Sequence, residues 1–466
     1  MLFSSIPFLF YFLPIVLLLY FAVPKKLRNA VLLLSSLFFY GWGEPRFLFF
    51  MIISILQGYI FGLLIEKHKG TKRSKVFLTA SVVLSLGLLG YCKYADFFIE
   101  NFNALTGLSV PLLGIALPIG ISFYTFQILS YAVDVYRGDV PAQRNFITLA
   151  AYIAMFPQLI AGPIVRYSDV AKQLEERTCS FEKASEGIRR FVFGFSKKIL
   201  LANTLGELVA TFKASDDKSV LFYWLYAFAY MLHVYFDFSG YSDMAIGLGK
   251  IFGFDFMENF NYPYISGSIT EFWRRWHMSL GSWFRDYLYI PMGGNRVSTP
   301  RWLFNILVVW MATGFWHGAA WNFVLWGLMF AVLLTIEKLF LIKGLKKLKV
   351  LNHIYVLFFV SLSFVLFDSL SISEAVQSMG AMLGAGKLPL VSTETLYYLK
   401  SYGVLLIAGI VGATPLCTAL VKKVHNTNRG AVIVNIAEPV VLLTLLTVCT
   451  AYLIDGSFNP FLYFRF

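Results

Sequence analysis

Long apolar runs, separated by short polar blocks, dominate the pattern of this chain. They cover residues 1–24, 29–43, 47–65, 76–92, 101–133, 145–165, 219–236, 302–336, 351–367, 401–421 and 440–454. A helix needs about 20 apolar residues to cross a bilayer core about 30 Å thick. With the interrupted run 191–205, the pattern therefore predicts roughly ten to twelve membrane segments. No Pro-, Gly- or Ser-rich linker and no internal repeat divides them, so we expect one integral-membrane domain over residues 1–466.

The run 302–336 is too long for one straight transmembrane helix. As a helix it would extend about 50 Å at about 1.5 Å per residue. It must tilt strongly, break or turn back, and the stretch from Gly314 to Gly318 is where we expect a break, because glycine weakens a helix. His317 lies in this stretch and is the only ionisable side chain between Arg301 and Glu337.

Residues 270–289 have a different pattern, since they are too polar to span a membrane but strongly amphipathic. An aromatic and apolar stripe recurs every three to four positions at Phe272, Trp276, Leu280, Trp283 and Tyr287. This spacing predicts an amphipathic helix that lies at the membrane interface or re-enters the bilayer. Glu271 is spaced to pair with Arg274 and Arg275 on such a helix.

Composition supports a membrane protein and excludes several other classes. The chain is 58% hydrophobic and only 14% charged, which is not typical of a soluble domain. The net charge of +13 comes from short basic blocks between apolar runs, so cytoplasmic loops explain it better than nucleic-acid binding. The four cysteines are far apart and form no CxxC pair, so we expect neither a zinc site nor a disulfide framework.

His317 is the first candidate for chemistry. Desolvating an ionisable group inside an apolar run costs free energy, which favours a functional reason for keeping it. A neutral imidazole can take a proton from a hydroxyl at neutral pH while the oxygen attacks an acyl carbon. The alternative is a histidine that bonds to a neighbouring helix only for packing.

His277, Asp237 and Asp243 are weaker candidates. His277 lies at the edge of the aromatic stripe and either positions a substrate or is an ordinary interfacial histidine. The two carboxylates either order neighbouring helices, pair with Arg274 or Arg275, or cap a helix in an ordinary turn. No set of residues at metal-ligand spacing accompanies them, and no Walker or dinucleotide motif is present, so we expect no metal and no nucleotide-driven step.

Five motifs, in this order, resemble those of a known family. They are AGPIVRY at 161–167, DFSGYSD at 237–243, EFWRRWHMSLGSWFRD at 271–286, YLYIPMGGN at 287–295 and GFWHG at 314–318. Together, within a core of about residues 118–327, they resemble the membrane-bound O-acyltransferases, and most closely the branch that O-acetylates alginate.

The resemblance implies an all-α, polytopic fold in which helices surround a funnel or tunnel. It implies that a thioester donor, acetyl-CoA or an acyl carrier protein, enters as a substrate from the cytoplasmic side of the cell membrane, with no bound cofactor. An extracytoplasmic partner would then pass the acetyl group to a polysaccharide. His317 matches the family's hallmark histidine, and His277 its second characteristic polar position.

Further residues of these motifs are candidates for substrate binding. They are Trp273, Arg274, Arg275, Trp276, Asp237, Asp243, Asn295, Trp316 and Asn322. A related branch transfers D-alanine to teichoic acid, which stays an alternative. A polysaccharide transporter or flippase would predict paired half-repeats with matching broken helices, and an inert anchor subunit would have no reason to bury His317.

Overall fold

The computed structural model describes residues 1–456, and every regular element in that range is a helix. The α-helices are α1 (Leu13–Ala22), α2 (Arg28–Gly41), α3 (Phe47–Lys67), α4 (Lys72–Leu89), α5 (Ala95–Thr106), α6 (Ile121–Arg137), α7 (Phe146–Ala154), α8 (Phe156–Leu159), α9 (Tyr167–Glu175), α10 (Phe181–Ser196), α11 (Thr204–Ala214), α12 (Val220–Ile251), α13 (Ile269–Arg275), α14 (Met278–Phe284), α15 (Thr299–His317), α16 (Trp321–Ile336), α17 (Ile342–Leu345), α18 (Leu351–Asp368), α19 (Ile372–Met382), α20 (Thr393–Ser401), α21 (Gly403–Gly412), α22 (Leu416–His425) and α23 (Asn428–Ile454).

Several shorter helical segments adjoin the α-helices. Wider π-type turns occur at Pro7–Phe12, Gly90–Tyr94, Lys197–Asn203, Arg285–Tyr289 and Glu337–Leu341, and tighter 3₁₀ turns at Lys25–Leu27 and Pro263–Ile265. The all-helical class is confirmed for residues 1–456, and the last ten residues of the expected domain lie outside the described range.

Five helical segments within residues 1–456 are long and apolar enough to cross a bilayer: Phe47–Lys67, Lys72–Thr106, Trp321–Leu345, Leu351–Asp368 and Asn428–Ile454. The pair α20 and α21, which is bent by 56°, would make a sixth if it counts as one span. The apolar N-terminal helix Pro7–Ala22 is shorter. The chain is thus a multi-pass membrane protein, and the expected ten to twelve segments and the funnel stay predictions.

The chain folds into two compact units, each formed by two stretches of sequence. Unit 1 contains Met1–Phe191 and Met244–Met257. Within it, the hydroxyl of Tyr20 donates to the carbonyl oxygen of Phe252 at 2.7 Å and accepts from Nε of Arg177 at 2.7 Å. These bonds join three parts of unit 1 that are far apart in sequence. The expectation of a single domain over the whole chain stays a prediction.

Unit 2 contains Val192–Asp243 and the chain from Glu258 onward. Its core is rich in buried aromatic side chains, among them Tyr230, Trp276, Phe330 and Phe364. Buried aromatic rings contribute large apolar area, and perpendicular contacts between rings add to it. Both candidate histidines belong to unit 2.

The predicted break in the run 302–336 is confirmed. Helix α15 runs through Gly314 and ends at His317, extended backbone begins at Gly318, and α16 starts at Trp321. The two helices form a hairpin. The backbones approach closely where glycines face each other, since a methyl group added at Gly314 would overlap the carbonyl oxygen of Phe323, and one at Gly327 would overlap that of Trp310.

The prediction of one continuous amphipathic helix over 270–289 is wrong. Helix α13 ends at Arg275, and α14 begins at Met278. His277 between them has φ of 44° and ψ of 52°, in the left-handed region, which a helix cannot contain. Most of the aromatic stripe nevertheless lies inside the protein, because Phe272, Trp276 and Trp283 are buried.

Candidate active site

His317 occupies the last position of α15, where the helical hairpin turns. Its ring meets three aromatic rings at steep angles, with centroid distances of 5.0 Å to Trp316, 5.1 Å to Trp326 and 5.3 Å to Phe367. Edge-to-face contacts of this kind fix the plane of a ring. His317 is only partly buried, so these contacts hold a residue that is still partly exposed.

His277 is almost fully buried, with 2% of its surface exposed. The ring of Phe238 packs perpendicular to it at 4.6 Å, and Trp316 lies on it at 6.0 Å. Trp316 therefore contacts both histidines. The two side chains that the sequence singled out for chemistry, 40 positions apart in the printed sequence, meet around one tryptophan.

Hydrogen bonds hold the strained backbone at His277. A non-glycine residue in the left-handed region costs about 1–3 kcal/mol, and such residues cluster at functional sites. The carbonyl oxygen of Asn259 accepts from the Met278 amide at 2.9 Å, and Oδ1 of Asn259 accepts from the Ser279 amide at 3.3 Å. These bonds satisfy amide groups at the start of α14 that a continuous helix would have used.

Burial sets the charge state of His277, which lies outside the candidate membrane spans. Desolvation, and secondly the charge of nearby His317, hold the pKa of His277 well below its usual range. A buried imidazole without a carboxylate partner stays neutral because charging it would forfeit its hydration. His277 is thus a neutral ring whose lone pair can accept a hydrogen bond.

Trp273 and Trp276 have different neighbours. Trp273 packs against Trp310 at 4.7 Å and against Trp326, which also touches His317, at 5.5 Å. Trp276 is buried and packs in the core against Phe260 at 5.1 Å. Trp273 consequently belongs to the aromatic surroundings of His317, whereas the contacts of Trp276 are those of the unit 2 core.

Arg274 and Arg275 do not share one environment. Arg275 pairs with Glu271 at 2.9 Å and donates to the carbonyl oxygen of Asn261 at 3.1 Å. Arg274 is exposed. The predicted pairing of Glu271 with Arg275 is confirmed, while Arg274 is on the outer side of this short helix.

Two of the three arrangements expected of Asp237 and Asp243, the capping turn and the pairing with an arginine, are wrong. Helix α12 continues through both positions, so they do not form a capping turn. Asp237 pairs with Lys198 at 2.6 Å and Asp243 with Lys197 at 2.7 Å, so lysines take the place of the arginines proposed as partners. The Lys198 and Asp237 side chains are 1% and 2% exposed. This buried ion pair holds α12 in place at the position next to Phe238.

The side chains of Asn322 and Asn295 make hydrogen bonds within the protein. Asn322 is buried, and its Nδ2 donates to the carbonyl oxygen of Ser369 at 2.9 Å, which ties the start of α16 to the end of the helix that carries Phe367. Asn295 is exposed and accepts from Tyr289 and from Nζ of Lys338, the latter at 3.1 Å. Only Asn322 is thereby linked to the surroundings of His317.

Sequence reasoning missed four residues around the two histidines. They are Asn259, Ser242, which accepts a hydrogen bond from Asn259, Phe238 and Phe367. Asn259 lies 18 positions before the histidine that it binds, and polar residues at such a separation show no local periodicity that would connect them. The phenylalanines are among 47 in the chain. No group of three or more His, Cys, Asp or Glu side chains that could hold a metal ion occurs among residues 1–456; the expectation of a reaction without metal stays a prediction.

Comparisons with known proteins extend over the whole chain. The sequence model of the membrane-bound O-acyltransferase family matches residues 140–343. A protein named probable alginate O-acetylase, from Azotobacter vinelandii, is 41% identical over the full length of both chains. A peptidoglycan O-acetyltransferase of Helicobacter pylori is 32% identical over 82% of this chain and 80% of that protein.

A teichoic acid D-alanyltransferase of Bacillus subtilis is similar over a shorter region. It is 32% identical over 48% of this chain and 59% of its own length. The full-length similarity to an O-acetylase, the family match and the helical membrane fold all point to one class of enzyme. The chain belongs to the membrane-bound O-acyltransferase family and is an acyltransferase.

Proposed function

We propose that this enzyme transfers an acetyl group from a thioester donor to an extracytoplasmic polysaccharide, with His317 as general base and His277 positioning a substrate. The observation that carries the proposal is the meeting of the two histidines around Trp316, with His317 partly exposed and His277 buried. Relatives similar over most or all of the chain carry the names of O-acetylating enzymes, which favours acetyl as the group transferred.

In the proposed reaction, His317 takes the proton of an acceptor hydroxyl as its oxygen attacks the acyl carbon. The carbon–sulfur bond of the donor then breaks, and the proton passes from the imidazolium to the leaving thiolate. His277 stays neutral during this step, because two adjacent imidazolium ions would repel each other. Positioning of the two reactants next to His317 supplies the rest of the rate enhancement.

The donor and the route are further parts of the proposal. The donor is acetyl-CoA or an acetylated carrier protein that reaches the enzyme from the cytoplasm and leaves as free thiol; no cofactor stays bound. The enzyme lies in the cytoplasmic membrane, where ten to twelve segments surround a funnel or tunnel that leads to His317. An extracytoplasmic partner protein passes the acetyl group to the polysaccharide.

A transfer assay with His317→Ala tests the proposal. The purified protein in liposomes, with labelled acetyl-CoA and a hydroxyl acceptor, should lose about 100- to 10,000-fold of its transfer rate, as expected for removal of a general base. His425→Ala is a matched control, because His425 is exposed at the end of α22, and it should transfer at the wild-type rate. Undiminished transfer by His317→Ala would contradict the catalytic assignment.

D-alanyl transfer is the second candidate, favoured by the similarity to a teichoic acid D-alanyltransferase over about half of the chain. The same liposomes, supplied in parallel with acetyl-CoA and with a D-alanyl carrier protein, separate the two functions. Transfer of acetyl alone supports the first proposal. Transfer of D-alanine alone would replace it without changing the role of His317.

A further inference from the structure

The side chain of Asn259 lies at the centre of a buried hydrogen-bond network around His277. Its Oδ1 lies 3.1 Å from Nδ1 of His277, 2.8 Å from Oγ of Ser279 and 3.3 Å from the Ser279 amide nitrogen. Its Nδ2 donates to Oγ of Ser242 at 2.9 Å. Asn259 is 1% exposed and Ser242 is 2% exposed, so the network is shielded from solvent.

One of these bonds fixes the orientation of the amide. A backbone N–H can only donate, so the Asn259 atom that faces the Ser279 amide must be the oxygen. The same oxygen faces Nδ1 of His277, which must therefore carry the proton if the contact is a hydrogen bond. The bond from Nδ2 to Ser242 agrees with this orientation, because a hydroxyl oxygen can accept.

The proton on Nδ1 leaves Nε2 of the neutral ring as an acceptor. Nε2 makes no hydrogen bond to any of residues 1–456, although it is buried. The ring of Phe238 packs perpendicular to the imidazole at 4.6 Å, and the ring of Trp316, the residue before His317, lies at 6.0 Å. The fixed ring therefore presents a lone pair within the aromatic surroundings of the two histidines.

We infer that Asn259 is a positioning residue that holds His277 in the Nδ1-protonated tautomer, so that Nε2 receives a hydrogen bond from the substrate. The substrate in this inference is taken from the proposed function. The assignment of the tautomer is independent of that function. Since Nε2 can only accept, the group that His277 positions must be a donor, either the acceptor hydroxyl or an amide N–H of a phosphopantetheine arm.

The charged surroundings of His277 allow a pH test. Among the described residues, His317 is the titratable group whose charge acts on the pKa of His277, and it lowers that pKa in the same direction as burial. On α12, Asp237 and Asp243 pair with Lys198 and Lys197. A carboxylate placed at Asn259 would thus be a new charge directly on Nδ1.

Nitrogen NMR of the protein with ¹⁵N-labelled histidine tests the tautomer without any assay of transfer. The chain has six histidines, and the signals of His277 are those that disappear in His277→Gln. We expect a protonated Nδ1 and an unprotonated Nε2 in the wild type, and a loss of this preference in Asn259→Leu, which removes the acceptor. A proton on Nε2 in the wild-type protein would overturn the inference whether or not the enzyme transfers acetyl groups.

The rate of transfer as a function of pH supplies the second readout, with Asn259→Asp. This variant keeps the acceptor oxygen but stabilises the imidazolium, which should raise the pKa of His277 by about one to three units. Both histidines must be neutral in the proposed reaction, so the acidic limb follows the higher of their two pKa values and cannot lie below that of His277; the pKa of His277 itself is read in parallel from the pH dependence of its ¹⁵N signals. Asn305→Asp is the control, because Asn305 is equally buried and bonds to the carbonyl oxygens of Met292 and Gly294. An unshifted pKa of His277 in folded Asn259→Asp would contradict the positioning role.

Discussion

The two histidines are held in opposite ways. His317 ends a regular helix, and three aromatic rings fix it although the residue stays partly exposed. His277 lies in a break between two short helices, has a strained backbone, and is fixed by a hydrogen bond from its own ring to Asn259. Ring packing in one region and polar contacts in the other bring the two imidazoles to Trp316.

The way in which each imidazole is held indicates the chemical role for which it is suited. Ring contacts orient an imidazole by its faces and edges, and they do not themselves decide which nitrogen carries the proton. A hydrogen bond to one nitrogen decides the tautomer and leaves only the other nitrogen for a ligand. The proposed general base at His317 and the inferred acceptor at His277 agree with this contrast.

The largest effect on folding is expected from Asp237→Ala, which acts on the helix that carries Phe238, a neighbour of His277. Lys198 would be left as a buried charge without its partner, and breaking such a pair costs about 3–5 kcal/mol. Asp237 precedes Phe238, whose ring packs on His277. A denaturant-unfolding or thermal-unfolding measurement in detergent should show the loss of stability.

Asp255→Ala is the matched control for this variant. Lys183 and Asp255 lie at the same distance of 2.6 Å, but their side chains are 20% and 60% exposed. An exposed pair contributes less than about 1 kcal/mol. Equal losses of stability in the two variants would show that burial of the Lys198 pair is not what stabilises α12.

A smaller effect is expected from Gly314→Ala, which acts on the hairpin that carries His317. The added methyl group would overlap the carbonyl oxygen of Phe323, and overpacking of this kind costs about 1–3 kcal/mol as the hairpin separates. Gly344→Ala is the control, because nothing lies near the position of its added methyl group. Unfolding of both variants in detergent measures the difference; the same stability in both would mean that the close approach of α15 and α16 is dispensable.

The lengths of the apolar runs made much of the fold predictable. The apolar runs gave the helical class, and the excessive length of the run 302–336 gave the break next to His317, because both depend only on bilayer thickness and helix rise. The break at His277 could not be predicted in this way. Its stripe has the spacing of a continuous helix, and only the tertiary bonds from Asn259 overcome that preference.

The candidate site was predictable only in part. His317 stood out because it is alone in an apolar run, and His277 because it lies within a motif that resembles the family. Besides Trp316 and Trp326 of the hairpin, their neighbours come from α12, α18 and the segment before α13. The sequence could not show that lysines, not arginines, neutralise Asp237 and Asp243, since both kinds of residue were available.

A comparison of four proteins tests most directly whether the two histidines act in one reaction. Acyl-transfer rates would be measured in the same liposomes for the wild type, His317→Ala, His277→Ala and the double variant. If His277 positions the group from which His317 takes a proton, its contribution is lost once His317 is gone, and the double variant should be hardly slower than His317→Ala. Losses that multiply, so that the double variant is slower by the product of the two single effects, would contradict a shared site.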